Sequence, residues 1–253
     1  MALIRLDHVS EMVMVCLPLN IILPDPGQMG DVPVRQRKVL YLLHGLSDDA
    51  TAWQRYTSIE TIANTYGLVV VMPSVGRSFY IDQPNGQRYF SYLTEELPRY
   101  LADVFHLAPR REDTLIAGNS MGGYGAFKAA FLYPERFYAA ASFSGALSLE
   151  VLNAQPDDPR TQEFAYLFGD LSKLRGGVHD PAVWLQKAAR NPSALPRLFI
   201  ACGRQDDLYP LNRMVHAACQ QLGIAMDYYE EDAKHDWFFL DAQIRRFLAV
   251  VLG

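Results

Sequence analysis

A glycine-framed serine, an aspartate pair and a histidine late in the chain, and a His-Gly-Leu turn near its start could together cut an acyl bond. Gly118-Asn119-Ser120-Met121-Gly122-Gly123 follows the apolar run Thr114-Leu115-Ile116-Ala117 and leads into Tyr124-Gly125-Ala126-Phe127-Lys128-Ala129-Ala130. That context predicts a strand, a tight turn and a helix, with Ser120 at the apex. Glycines are needed on either side because a Cβ there would collide with the neighbouring strand or helix. Taken alone, Gly-x-Ser-x-Gly also describes a strand-to-helix turn without chemistry. Its weight depends on the partners that accompany it.

A hydroxyl is a poor nucleophile at neutral pH, so Ser120 needs a base, and the base needs a carboxylate to orient it. Where Gly-x-Ser-x-Gly marks a nucleophile elbow, acid and histidine follow in that order at the C-terminal ends of later strands. The acid is expected after the strand ending at Cys202, where Asp206 and Asp207 stand side by side. Spacing does not choose between them. His235, in Lys234-His235-Asp236-Trp237, is the one histidine beyond the last predicted strand. His8, His106, His179 and His216 fit solvated or packing roles, and His44 precedes the serine and has a different job. Asp227, Asp232 and Asp236 read as surface charges. Charge developing on the substrate carbonyl needs two backbone donors already aimed at it. The Met121 N–H, at a helix N-terminus, is one candidate. The Leu46 N–H, in the turn His44-Gly45-Leu46, is the other.

The elements that must hold these residues alternate in type. Met12–Leu19 reads as a first strand, at the sheet edge given Pro18. Lys38–Leu43 and Leu68–Pro73 are continuous apolar strands, as expected when both faces are buried. A helix is predicted from about Thr51 to Tyr66. A loop, Ser74 to Arg88, carries Tyr80, and apolar residues at helical spacing predict a helix from about Tyr92 to His106. After the elbow come strands at Tyr138–Ser144, Leu198–Cys202 and Met226–Glu230, with helices at Asn212–Leu222 and Trp237–Leu252. This alternation predicts an α/β fold, a mostly parallel central sheet with helices on both faces. It breaks between Gly145 and Leu195, where two helices are expected, near Arg160–Leu167 and Pro181–Arg190. The expected organisation is one domain over residues 1–253 with a small helical cap inserted at about 146–194.

The length of 253 residues suits one substantial core. A net charge of −5 without any basic stripe argues against a nucleic-acid partner. Cys16, Cys202 and Cys219 are too few for a disulfide framework, and Cys16 and Cys202, in apolar runs, are expected to be inert buried thiols. The start of the sequence lacks signal-peptide architecture and no apolar run reaches membrane-span length, so the cytoplasm is the expected compartment and no membrane partner is expected.

His44-Gly45-Leu46-Ser47-Asp48-Asp49, Trp53, the elbow through Ala126, Cys202-Gly203-Arg204-Gln205-Asp206-Asp207-Leu208-Tyr209 and His235-Asp236-Trp237 together resemble the esterase D-type branch of the α/β-hydrolases. The similarity is greatest to tributyrin esterases, with S-formylglutathione hydrolases and feruloyl or acetyl xylan esterases as relatives. The resemblance implies an α/β-hydrolase fold and a serine carboxylesterase acting on short-chain acyl esters, small molecules, through an acyl-enzyme. It implies no metal or other cofactor, and homo-oligomers are common in the family. It matches Ser120 to the nucleophile, Asp206 to the acid, His235 to the base, and Leu46 and Met121 to the oxyanion donors. The pocket is expected to draw on the Trp53 helix, the Tyr80 loop and the segment around Trp184. Rival readings with the same motifs are a thioesterase acting on S-formylglutathione, an acyltransferase, and a binding protein that keeps the fold without catalysis.

Overall fold

The computed structural model describes residues 1–84, 86–149, 158 and 160–253. Part of the expected 146–194 insertion, residues 150–157 and 159, therefore lies outside the described residues. The chain opens with two antiparallel strands, β1 (Ala2–Val9) and β2 (Cys16–Leu23), followed by the short helix α1 (Pro26–Met29) and strand β3 (Val39–Leu43). Helices α2 (Ala52–Tyr56) and α3 (Ile59–Thr65) precede β4 (Val69–Pro73). The short α4 (Tyr89–Ser91) runs through a π turn at Tyr92–Glu96 into α5 (Leu97–Phe105). The elbow region is β5 (Thr114–Asn119) and α6 (Met121–Leu132), followed by β6 (Ala139–Phe143). Helices α7 (Thr161–Phe168) and α8 (Pro181–Ala188) come next, then β7 (Arg197–Gly203), α9 (Tyr209–Gln221), β8 (Asp227–Glu231) and α10 (Trp237–Leu252).

The eight strands form one sheet in the order β1-β2-β4-β3-β5-β6-β7-β8, antiparallel only at β1/β2 and β2/β4. Strands β3 to β6 are buried along their whole length, so both sides of each carry apolar residues. Val39, Tyr41, Leu43, Val71 and Ile116 face the core beneath α5, α6, α8 and α9. Leu40, Leu42, Val70, Leu115 and Phe199 face the opposite core, closed by Trp53 and Ile59 and by Ile244 and Phe247 of α10. Helices therefore cover both faces of a mostly parallel sheet.

Three local expectations are corrected. The run Met12–Leu19 is not one edge strand: β1 occupies the edge, and Met12–Val15 belong to the turn joining it to β2. That turn is tied down by buried Glu96, which accepts hydrogen bonds from the Ser10 hydroxyl and the Glu11 and Met12 amides. The helix expected at Thr51–Tyr66 is broken at Thr57-Ser58, where Asp241 of α10 accepts from the Ser58 amide and hydroxyl. Cys16, at the outer end of β2, is exposed, whereas Cys202 and Cys219 are buried. Among the described residues, no helix is long and apolar enough to cross a membrane.

Chain order moves from β3 outward to β4 and then back across to β5. The switch point between β3 and β5 opens a crevice at the strands' C-terminal ends, where open α/β sheets hold their ligands.

Candidate active site

Ser120 closes β5 and caps α6 with φ 53° and ψ −117°, a conformation that costs an L-residue of order 1–3 kcal/mol. Its surroundings hold it there. The Ser120 N–H donates to the Phe143 carbonyl at 2.9 Å, and its carbonyl accepts from Ala146 N–H at 3.0 Å. The turn is tight enough to exclude side chains on two flanking glycines. A Cβ on Gly118 would strike the Gly122 backbone, and one on Gly122 would strike the Leu43 and His44 carbonyls. Gly122→Ala is expected to destabilise the fold by about 3 kcal/mol or more, read as a lowered urea midpoint, because backbone cannot yield as a side chain does.

The histidine arrives in the loop after β8. His235 Nδ1 donates to Asp206 Oδ2 at 2.8 Å, while the other Asp206 oxygen accepts the Leu208 N–H at 2.8 Å. Asp206 is buried and Asp207, next to it, is exposed. Burial pushes the Asp206 carboxyl up, but hydrogen bonds from His235, Ser144 and Leu208 outweigh it and hold the group below the usual carboxylate range. Burial draws His235 down, yet the hydrogen bond and charge of Asp206, with the Asp48 and Asp207 charges, leave it above the ordinary imidazole value. An imidazole engaged through Nδ1 keeps Nε2 for a proton taken from a neighbouring hydroxyl.

Leu46 lies in the turn after β3, and Met121 opens α6, so the Met121 N–H has no carbonyl one turn back to bond. Leu46, Ser120, Met121, Asp206 and His235 all border one cavity of about 530 Å³. The sequence positions are far apart, and the sheet edge brings them together.

Of the three segments expected at the pocket, the Tyr80 loop borders this cavity through Phe79, whereas the Trp53 helix and the segment around Trp184 do not. Trp53, Tyr80 and Trp184 are buried packing residues that do not border this cavity. Trp53 Nε1 donates to the Leu43 carbonyl and Trp184 Nε1 to the Val178 carbonyl. The aromatic walls are Phe79 and Phe164, packed edge to face with centroids 5.6 Å apart. Phe79 and Tyr80 have φ 51° and 50°, and this strained pair is held by Phe79 N–H on Met121 Sδ and by Lys128 Nζ on the Tyr80 carbonyl. Arg77, in the same loop, pairs with Glu163 of α7, its Nη2 donating to Oε2 at 2.8 Å. Ser144 was also missed. It follows β6 at the same sheet edge, buried and with φ 46°, and that position, a hydroxyl between the elbow and acid strands, was the available signal. Among the described residues, no group of three or more His, Cys, Asp or Glu side chains is arranged to hold a metal ion.

Comparison with known proteins adds family context to this geometry. A family model described as "Putative esterase" matches residues 16–236. The chain is 31% identical over 256 residues to an acetyl esterase of Caldicellulosiruptor saccharolyticus, covering 96% of each. Among solved structures it is similar to the fluorophosphonate-binding serine hydrolase F of Staphylococcus aureus, with a TM-score of 0.90 and 33% identity over 100% of this chain and 98% of that one. It is also similar to an S-formylglutathione hydrolase from Staphylococcus aureus, with a TM-score of 0.88 and 33% identity over 100% and 99% of the two chains. The sheet and its helices thus form an α/β-hydrolase fold.

Proposed function

The chain belongs to the esterase family of serine hydrolases, and from that premise we propose that it hydrolyses short-chain acyl esters through an acyl-serine intermediate. The observation that carries this reading is the His235–Asp206 hydrogen bond on the cavity that Ser120 also borders. Likeness to an acetyl esterase along nearly the whole chain supports a short acyl group.

Ser120 Oγ attacks the ester carbonyl as its proton passes to His235 Nε2, and the carbonyl electrons move onto oxygen. The Leu46 and Met121 amides receive that negative charge. The tetrahedral intermediate collapses, the carbon–oxygen bond to the alcohol breaks, and His235 gives its proton to the departing alkoxide. Water then attacks acyl-Ser120 with His235 again as base, the acyl–oxygen bond breaks as His235 returns the proton to Ser120 Oγ, and the carboxylic acid leaves. Asp206 stays ionised throughout, orienting the imidazole and balancing its transient charge. The described part of the insertion, with α7 and α8, acts as a cap on a single cytoplasmic domain, contributing Phe164 to the acyl pocket.

A fluorophosphonate probe tests the reading directly. Intact protein is expected to be modified at Ser120, and p-nitrophenyl acetate to be cleaved faster than esters of longer acids. Active protein left unmodified at Ser120 sinks the proposal. Likeness to an S-formylglutathione hydrolase supports a second reading, in which the same residues cleave a thioester. Parallel assays on S-formylglutathione and p-nitrophenyl acetate decide between the two.

A further inference from the structure

The turn after β3 is held by four consecutive carbonyls. The Leu43 carbonyl accepts from Trp53 Nε1 at 3.0 Å and the His44 carbonyl from the Tyr80 hydroxyl at 3.1 Å. The Gly45 carbonyl accepts from His44 Nδ1 at 2.7 Å, and the Leu46 carbonyl from Arg77 Nη1 at 3.5 Å. The Gly45 N–H donates to Asp48 Oδ2 at 3.2 Å. A surface loop needs no such set of restraints. One of them acts on the peptide group that matters most to the chemistry. The Gly45 carbonyl and the Leu46 N–H belong to the same planar trans peptide and point in opposite directions. Whatever fixes the carbonyl also aims the N–H.

His44 can do this only in one protonation state. Its Nε2 accepts the Val75 N–H at 3.0 Å. A backbone carbonyl can only accept and a backbone amide can only donate, so Nδ1 carries the proton and Nε2 carries none. A doubly protonated ring would set one N–H against another. The side chain is 1% exposed, and burial holds its pKa below the ordinary imidazole value, so the ring stays neutral.

We propose that His44 is a positioning residue for the oxyanion hole: its Nδ1–H grips the Gly45 carbonyl and thereby holds the Leu46 N–H in register with the charge that develops on the carbonyl oxygen bound at Ser120. The inference rests on the esterase reading of Ser120 and the Leu46 amide. His44 itself exchanges no proton during the reaction.

The test compares wild type, His44→Ala and His44→Gln in p-nitrophenyl acetate hydrolysis and in binding of an alkyl trifluoromethyl ketone, whose serine adduct carries the same oxyanion. Complete loss of one oxyanion donor costs about 10²–10³ in kcat. A donor that is loosened and still present is expected to cost roughly 10- to 100-fold. His44→Ala should therefore lower kcat by that factor, with KM nearly unchanged, and weaken the ketone by a matching factor. His44→Gln, whose amide offers one donor and one acceptor, should recover part of both. Unchanged kcat and ketone affinity in folded His44→Ala overturn the proposal, and so does a loss confined to KM. Should neither variant fold, nitrogen NMR of histidine-labelled wild type decides: a proton on Nδ1 and no titration near neutral pH support it, and a proton on Nε2 defeats it. Failure of the esterase reading looks different, because wild type would then leave the ester intact and resist the fluorophosphonate.

Discussion

Ser120→Ala is expected to lower kcat for p-nitrophenyl acetate by about 10⁴-fold or more and to leave the melting temperature close to that of the parent. The two halves of this prediction have separate causes. On the proposed route the side-chain oxygen supplies the bond that forms in the first chemical step, and alanine has no atom to replace it. The backbone is indifferent to its loss. Alanine keeps the Cβ, so the strain at φ 53° is unchanged, and the hydrogen bonds to Phe143 and Ala146 use only main-chain atoms. The signal is a steady-state rate together with a thermal melt. A variant that retained a hundredth of the parent rate would show that water is attacking without Ser120, and the acyl-serine route would be abandoned.

Asp206→Asn is expected to cost about 10³- to 10⁴-fold in kcat, and Asp207→Asn no more than a few-fold. An asparagine would meet His235 Nδ1 either with an oxygen of lower charge or with an N–H that forces the imidazole into the other tautomer. In that tautomer Nε2 already carries a proton and cannot take one from Ser120. Asp207 is exposed and reaches His235 only through its field. The pH profile separates the two carboxylates further. His235 must be neutral to act as base, so activity falls as pH drops through its pKa, which stands above the ordinary imidazole value. Removing the Asp206 charge removes the main influence that raises it, so the acid limb of kcat/KM should move to lower pH. Asp207→Asn should move it in the same direction and much less. If Asp207→Asn proves the more damaging change, the acid has been assigned to the wrong carboxylate.

The buried parallel strands were readable because burial on both faces leaves continuous apolar runs such as Val39–Leu43 and Val69–Pro73. Strand β1 was not, since an edge strand alternates apolar residues with Arg5, Asp7 and His8 and resembles a polar lead-in. The break at Ser58 was hidden for another reason. Its partner, Asp241, lies 183 residues away, and local pattern carries no trace of it. In the site, glycine spacing announced the elbow because it reports a backbone constraint. The pocket wall had no comparable signature: Phe79 and Tyr80 are adjacent aromatics, and only the fold turns one to the cavity and the other to the core.

The contact between Gly122 and the Leu43 and His44 carbonyls has a consequence for redesign. Main chain meets main chain between the elbow helix and the turn after β3, so no side chain can be introduced at Gly122 without moving one of them. Libraries around Ser120 should therefore keep Gly122, and His44 with it, fixed. Phe79 and Phe164 stand on separate segments, the 74–88 loop and α7, which are joined by the Arg77–Glu163 ion pair. On the proposed esterase reading, changes at Phe79 and Phe164 are expected to retune substrate range while Ser120, Asp206 and His235 stay as they are.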